Sequence, residues 1–176
     1  MLARSLGPLS GRLHEWVVAV KFQGKTSLGY DLGRRAAREL AGELGAPVAV
    51  VPVPLSRRRR RERGYNQAEA VARGVADALG LPLYLHWLER TRETLPQTDL
   101  RRRARQENVR GAFRAPPRSA GRVLLVDDVM TTGATLEAAA RALRRAGTAE
   151  VVGLTLARAG AGAASLAGAI AGGSNA

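Results

Sequence analysis

Apolar and polar positions fall along this chain in blocks that predict helices and strands by turns. Leu13, Trp16, Val17 and Val20 recur at helical spacing, which predicts a short helix, or a hairpin-like element, over His14 to Phe22. Trp16 and Phe22 read as packing anchors, and Met1 to Gly11, broken by Gly7 and Pro8, reads as an irregular lead-in. Leu32, Ala36, Leu40 and Leu44 share one face of a helix from about Asp31, which can cap it, to Leu44, where Gly45 and Pro47 end it. Val48 to Val53 predicts the first strand of the main sheet. After an arginine-rich loop, Ala68, Val71, Ala72, Val75 and Leu79 mark a helix stopped by Gly80 and Pro82, and Leu83 to Leu88 suits a strand. Val123 to Val126 is an unbroken apolar run, the pattern of a strand covered on both faces. Leu136, Ala139, Ala140 and Leu143 return to helical spacing, with Gly147 just past the helix end. Val151 to Ala157 predicts the last strand. Strands alternating with helices predict an α/β fold, a parallel sheet with helices on both faces.

Two stretches break this rhythm. From Arg90 to Arg110 the chain is charged and polar, too long for a plain connection and suited to a lid or binding loop, with a helical turn or two over Leu100 to Glu107 capped by Asp99. Residues 160–176 are nearly all Ala, Gly and Ser and are given no function. The expected organisation is one domain over residues 1–159 followed by this tail, and 176 residues suffice for a full core.

Composition narrows the chemistry. There is no cysteine, which excludes disulfides, thiolate metal sites and a cysteine nucleophile. The two histidines, His14 and His86, lie far apart in sequence. No apolar run approaches a membrane span and no signal peptide is evident, so the cytoplasm is the expected location. The net charge of +13, carried almost wholly by arginine, favours anionic partners: nucleic acid, phosphorylated small molecules or an anionic surface.

The residues after Val126 carry the sharpest signal. Asp127 and Asp128 close the strand, and Val129 and Met130 lead into Thr131, Thr132, Gly133, Ala134 and Thr135 at the start of a helix. Backbone N–H groups in such a turn lack intrahelical partners and face a phosphate with the positive end of the helix dipole. A pair of carboxylates at a strand end suits sugar hydroxyls or a magnesium ion carried with the phosphate. A helix cap alone needs one such residue, not two carboxylates and three threonines around a glycine. A second strand–loop–helix unit contains Arg63, Gly64 and Tyr65, where the glycine lets backbone N–H groups approach an anion and the arginine offers paired donors.

The stretch from Val123 to Thr135 resembles the phosphoribosyl-pyrophosphate (PRPP) signature of type I phosphoribosyltransferases, which implies the fold of that family. The resemblance implies that Asp127 and Asp128 hold the ribose hydroxyls and Thr131, Thr132, Gly133, Ala134 and Thr135 the 5′-phosphate. It also implies that Arg63, Gly64 and Tyr65 bind pyrophosphate. A wider series is similar to the ComF family (ComFC and GntX-like proteins): Lys21-Phe22-x-Gly24, Val51-Pro52-Val53-Pro54-Leu55-Ser56, Arg63-Gly64-Tyr65-Asn66-Gln67, Arg90-x-Arg92-x-Thr94-x-x-Gln97-x-x-Leu100, and Arg105-x-x-Asn108-Val109-x-Gly111-Ala112-Phe113. Members of that family are linked to DNA uptake in natural transformation. Many begin with a four-cysteine zinc ribbon, which a chain without cysteine is expected to lack.

On this resemblance the chain is a magnesium-dependent, glycosyltransferase-class enzyme that uses PRPP, with the acceptor unidentified. Magnesium arrives with PRPP near Asp127 and Asp128, with no direct protein ligand. A flexible loop carrying Arg90, Arg92, Gln97 and Arg105 closes over the site. Thr131 stands where hypoxanthine-guanine enzymes place an aspartate, so this turn supplies no acidic general base. Two other readings stay open: a single-stranded-DNA-binding competence factor that uses the Arg57–Arg63 and Arg101–Arg105 clusters, and a regulator that senses PRPP without turnover. The DNA-uptake machinery is the expected protein partner, and a homodimer is compatible with the sequence.

Overall fold

The computed structural model describes residues 1–92, 109, 111–117 and 120–160. The main sheet has four strands, all parallel: β1 (Ala3–Pro8), β2 (Ala49–Pro52), β5 (Ala120–Met130) and β6 (Thr148–Arg158), in the order β1-β6-β5-β2. Two short strands, β3 (Glu89–Arg90) and β4 (Phe113–Arg114), pair antiparallel as a separate ribbon. Among the described residues the helices are α1 (Gly11–Phe22), α2 (Thr26–Leu44), α3 (Arg57–Arg63), α4 (Gln67–Leu79) and α5 (Ala134–Arg145).

Strand alternation sorts the apolar run of β5 onto two faces. Leu124 and Val126 join Val50, Val152, Leu154 and Leu156 beneath α1, α2 and α4. Val123 and Leu125 join Ala49, Val51 and Val151 beneath α5 and the β3–β4 ribbon. The expected parallel sheet with helices on both faces is therefore present. Helices α2 and α4 pack closely through paired glycines: a Cβ at Gly33 would overlap the Val71 carbonyl oxygen, and one at Gly74 the Tyr30 carbonyl oxygen.

Several local expectations need correction. The lead-in is a strand: β1 pairs with β6 from Ala3↔Gly153 to Pro8↔Arg158, and Pro8 is tolerated because β1 lies at the sheet edge. Its pairing comes from a partner about 150 residues away, which local pattern does not report. The second helix starts at Thr26 after Lys25 rather than at Asp31, which falls inside it. Gly29 and Gly33 weaken the helical signal there, but both are buried at helix contacts, where a small residue is required. The arginine run is helical rather than a loop. The Ser56 hydroxyl accepts from the Arg59 N–H, Glu62 takes Arg58 at 2.7 Å one turn earlier, and Gly64 ends the helix at φ 77°. Leu83 to Leu88 is not a strand. Only Leu83 bridges to Val50, and the chain then turns so that Tyr84 and Trp87 stack, with ring centres 4.0 Å apart. Strand β5 runs on to Met130, so Asp127 and Asp128 lie within it rather than closing it. Phe22 is no packing anchor: it is 67% exposed, whereas Trp16 packs against the core. The helical turn expected at 100–107 and the tail beyond Gly160 lie outside the described residues.

Candidate active site

The site forms at the carboxyl ends of β5 and β2, where parallel sheets leave backbone groups and side chains facing outward. Met130 ends β5, and Thr131 to Gly133 make a three-residue turn into α5. Gly133 holds φ 76° and caps the helix, so the turn reverses direction within one residue. The Thr132 hydroxyl accepts from the Ala134 N–H at 3.4 Å, and the Glu137 N–H donates back to the Gly133 carbonyl at 2.9 Å. Thr131 is exposed, Thr132 and Thr135 are half-buried, and Ala134 is buried.

The acid pair stands just before this turn. The Asp127 Oδ1 accepts from the Asp128 backbone N–H at 2.9 Å. Burial first, then the charge of Asp128, pushes the Asp127 carboxyl well above the usual carboxylate range. Asp128 is 5% exposed, and its Oδ2 is buried without a hydrogen-bond partner. A buried carboxylate oxygen left in this state is costly and is poised to accept from a ligand hydroxyl or to face a cation.

The second loop reaches the same place. Its anchor is Asn66, whose Nδ2 donates to the Val53 carbonyl at 3.0 Å while its Oδ1 accepts from the Ala68 N–H at 3.1 Å, capping α4. Arg63 donates to Gln67 Oε1 at 3.1 Å. Desolvation and the neighbouring Arg59 lower the Arg63 guanidinium from its ordinary value, and the charge of Asp128 acts against them. Gly64 occupies the left-handed region. The Tyr65 hydroxyl donates to the Val20 carbonyl at 2.8 Å and accepts from the Gly24 N–H at 3.1 Å, which ties the loop to the turn between α1 and α2.

Arg90 and Arg92 lie at the ribbon. Arg90 sits over the Phe113 ring, with its guanidinium carbon 5.4 Å from the ring centre. Both line a cavity of about 600 Å³ with Arg57, Arg60, His86 and Glu69, beside Pro52 at the end of β2. Arg60 pairs with Glu69 at 2.8 Å. Gln97 and Arg105 lie outside the described residues, as do Arg101, Arg102 and Arg103. Two residues reach the site that the sequence does not assign to it. Lys21 Nζ is 3.9 Å from Asp128 Oδ2, and Phe22 lies under both Lys21 and Arg63. Their only signal in the sequence is the Lys21-Phe22-x-Gly24 match to the family series.

Helix-start turn, acid pair and arginine-bearing loop meet at the carboxyl end of a parallel sheet in an α/β protein. Comparison with known families places residues 28–167 within the phosphoribosyl transferase domain. The chain is 37% identical to Competence protein F of Haemophilus influenzae over 66% of its own length and 53% of that protein's. It is 33% identical to the DNA utilization protein YhgH of Salmonella typhi over 82% of its length and 64% of that protein's. Among solved structures, a glutamine PRPP amidotransferase from B. subtilis complexed with ADP and GMP aligns at 27% identity and a TM-score of 0.47, covering 72% of this chain and 25% of that one. The chain belongs to the phosphoribosyl transferase domain family, in its ComF-type branch. It spans between about half and two thirds of the length of the two relatives. Among the described residues, no helix is long and apolar enough to cross a membrane.

Proposed function

We propose that this chain binds PRPP at the β5–α5 turn and transfers its phosphoribosyl group, in a process of DNA uptake or use like that named for its relatives. The observation that carries the reading is Asp128 Oδ2, buried without a hydrogen bond beside a glycine-started phosphate turn and in the field of Arg63. The turn from Thr131 to Thr135 takes the 5′-phosphate through backbone N–H groups and threonine hydroxyls. Asp127 and Asp128 accept from the ribose 2′ and 3′ hydroxyls. Arg63 and the backbone at Gly64 receive the pyrophosphate.

The donor set also suits magnesium. No group of three or more metal-ligating side chains exists among the described residues, and magnesium would arrive with PRPP and sit near Asp127 and Asp128. Bound in this way, magnesium would neutralise charge on the leaving pyrophosphate. The chain's own part is positioning. The turn and the acid pair hold the two sides of the ribose, and Arg63 stabilises charge that grows on the departing oxygens. With Thr131 in the turn, no carboxylate from it removes a proton from the acceptor. Calorimetry with PRPP and magnesium tests the reading. Saturable binding that ribose 5-phosphate competes away is expected, and absence of heat and of competition would sink it.

A second reading is favoured by the cavity at Arg57, Arg60, Arg90, Arg92 and His86, which lies on the same loop as the stacked Tyr84 and Trp87. A cavity with several arginines suits the phosphates of single-stranded DNA, and an aromatic pair nearby in sequence offers bases a stacking surface. On this reading a gel shift of single-stranded DNA should appear at low salt, weaken steeply as salt rises, and diminish in Arg57→Ala/Arg60→Ala. A wild-type mobility unchanged by DNA at low salt would exclude it.

A further inference from the structure

Lys21 and Phe22 occupy the C-terminal turn of α1, ahead of the acid pair and both phosphate loops in sequence. Three observations bring them to the site. The Lys21 Nζ stands 3.9 Å from the buried Asp128 Oδ2, close enough to balance its charge but too far to donate a hydrogen bond. Phe22 holds its ring in solvent, with the Arg63 guanidinium carbon 5.1 Å and the Lys21 Nζ 5.8 Å from the ring centre. The Tyr65 hydroxyl bonds residues on either side of this turn, the Val20 carbonyl and the Gly24 N–H, and so fixes it against the loop that carries Arg63. Two cations from different elements therefore lie against one exposed aromatic ring, one of them beside a buried carboxylate. An aromatic ring attracts each cation and helps hold both near an incoming anion.

We propose that Lys21 is a second pyrophosphate-binding residue, acting with Arg63 across the Phe22 ring. The inference rests on the donor-binding reading above. A ribose hydroxyl that donates to Asp128 Oδ2 supplies the hydrogen bond this atom lacks. The ammonium, on a flexible stem and 30% exposed, is then free to turn to the phosphate oxygens. Lysine suits this exchange: it is a compact charge with rotatable donors and leaves a carboxylate without breaking a paired contact.

Calorimetry on the full chain with three probes, each with magnesium, tests this: pyrophosphate, ribose 5-phosphate and PRPP. Lys21→Met should weaken pyrophosphate and PRPP by about ten- to a hundredfold, the scale of a lost hydrogen bond to a charged group, and leave ribose 5-phosphate unchanged. Lys21→Arg should restore most of the pyrophosphate affinity. Were Lys21 only a counter-ion for Asp128, the variant would alter ribose 5-phosphate binding and leave pyrophosphate binding at the wild-type value, and that result overturns the proposal. A wild-type chain that binds none of the three probes overturns the donor-binding reading itself.

Discussion

The double variant Asp127→Ala/Asp128→Ala is expected to lose PRPP affinity by about a hundredfold or more while unfolding at a higher temperature than the wild-type chain. The loss of affinity follows from removing both acceptors for the ribose hydroxyls, each a hydrogen bond to a charged or polarised group. The gain in stability follows from what the pair costs without ligand. Asp128 Oδ2 is buried and accepts no hydrogen bond, and Asp127 is half-buried beside a second carboxylate. The acid pair also makes stability depend on pH. Because the folded-state pKa of Asp127 is raised, the unfolded chain releases this proton at a lower pH than the folded chain does. Folding is therefore disfavoured as pH rises past the ordinary carboxylate value of about 4, and it suffers no such penalty below it. Asp127→Asn should stabilise the ligand-free protein at neutral pH, raising Tm above the wild-type value, and the advantage should shrink to nothing as pH falls below about 4. Thermal unfolding across this range reads it directly. A variant less stable than wild type at neutral pH would contradict the assignment of a costly acid pair.

Gly133→Val should separate the two phosphate subsites. Space is not the obstacle: a Cβ at Gly133 would meet only the Met130 sulfur, at an ordinary 3.6 Å. The obstacle is the backbone, which holds φ 76°. An L-residue there costs about 1–2 kcal/mol, and a β-branched one more. The chain can escape that strain only by rotating the peptide on either side, which turns the N–H groups of the turn away from a bound phosphate. Ribose 5-phosphate affinity should fall by about a hundredfold, and Tm by several degrees. Magnesium pyrophosphate, held by the loop after β2, should bind as it does to wild type. Equal loss of both ligands would show that the two subsites are one.

Much of this site was legible before any fold was known, because its chemistry is local. Val123 to Val126 could only be buried, two carboxylates next to such a run need a reason, and a glycine among threonines marks a turn into a helix. The helix stop at Gly80 was also readable, since it acts on neighbours within a few residues. What escaped depends on partners distant in sequence. β1 has no strand pattern of its own and exists because β6 offers an edge. Gly29, Gly33 and Gly74 argue against a helix one at a time and make sense only where one helix presses on another.

The same division runs through the site. Short-range pattern was enough for the parallel α/β class, the start of α5 at a threonine–glycine turn and the carboxylate pair before it, because strand burial, helix starts and backbone freedom are properties of short segments. The folded chain was needed to show that Asp128 carries a buried oxygen in want of a donor, that the arginine run is a helix, and that Phe22 faces solvent under two cations. It was needed as well to bring Lys21 over the acid pair. Desolvation and charge pairing are set by what folding packs together across more than a hundred residues, and no local pattern encodes them.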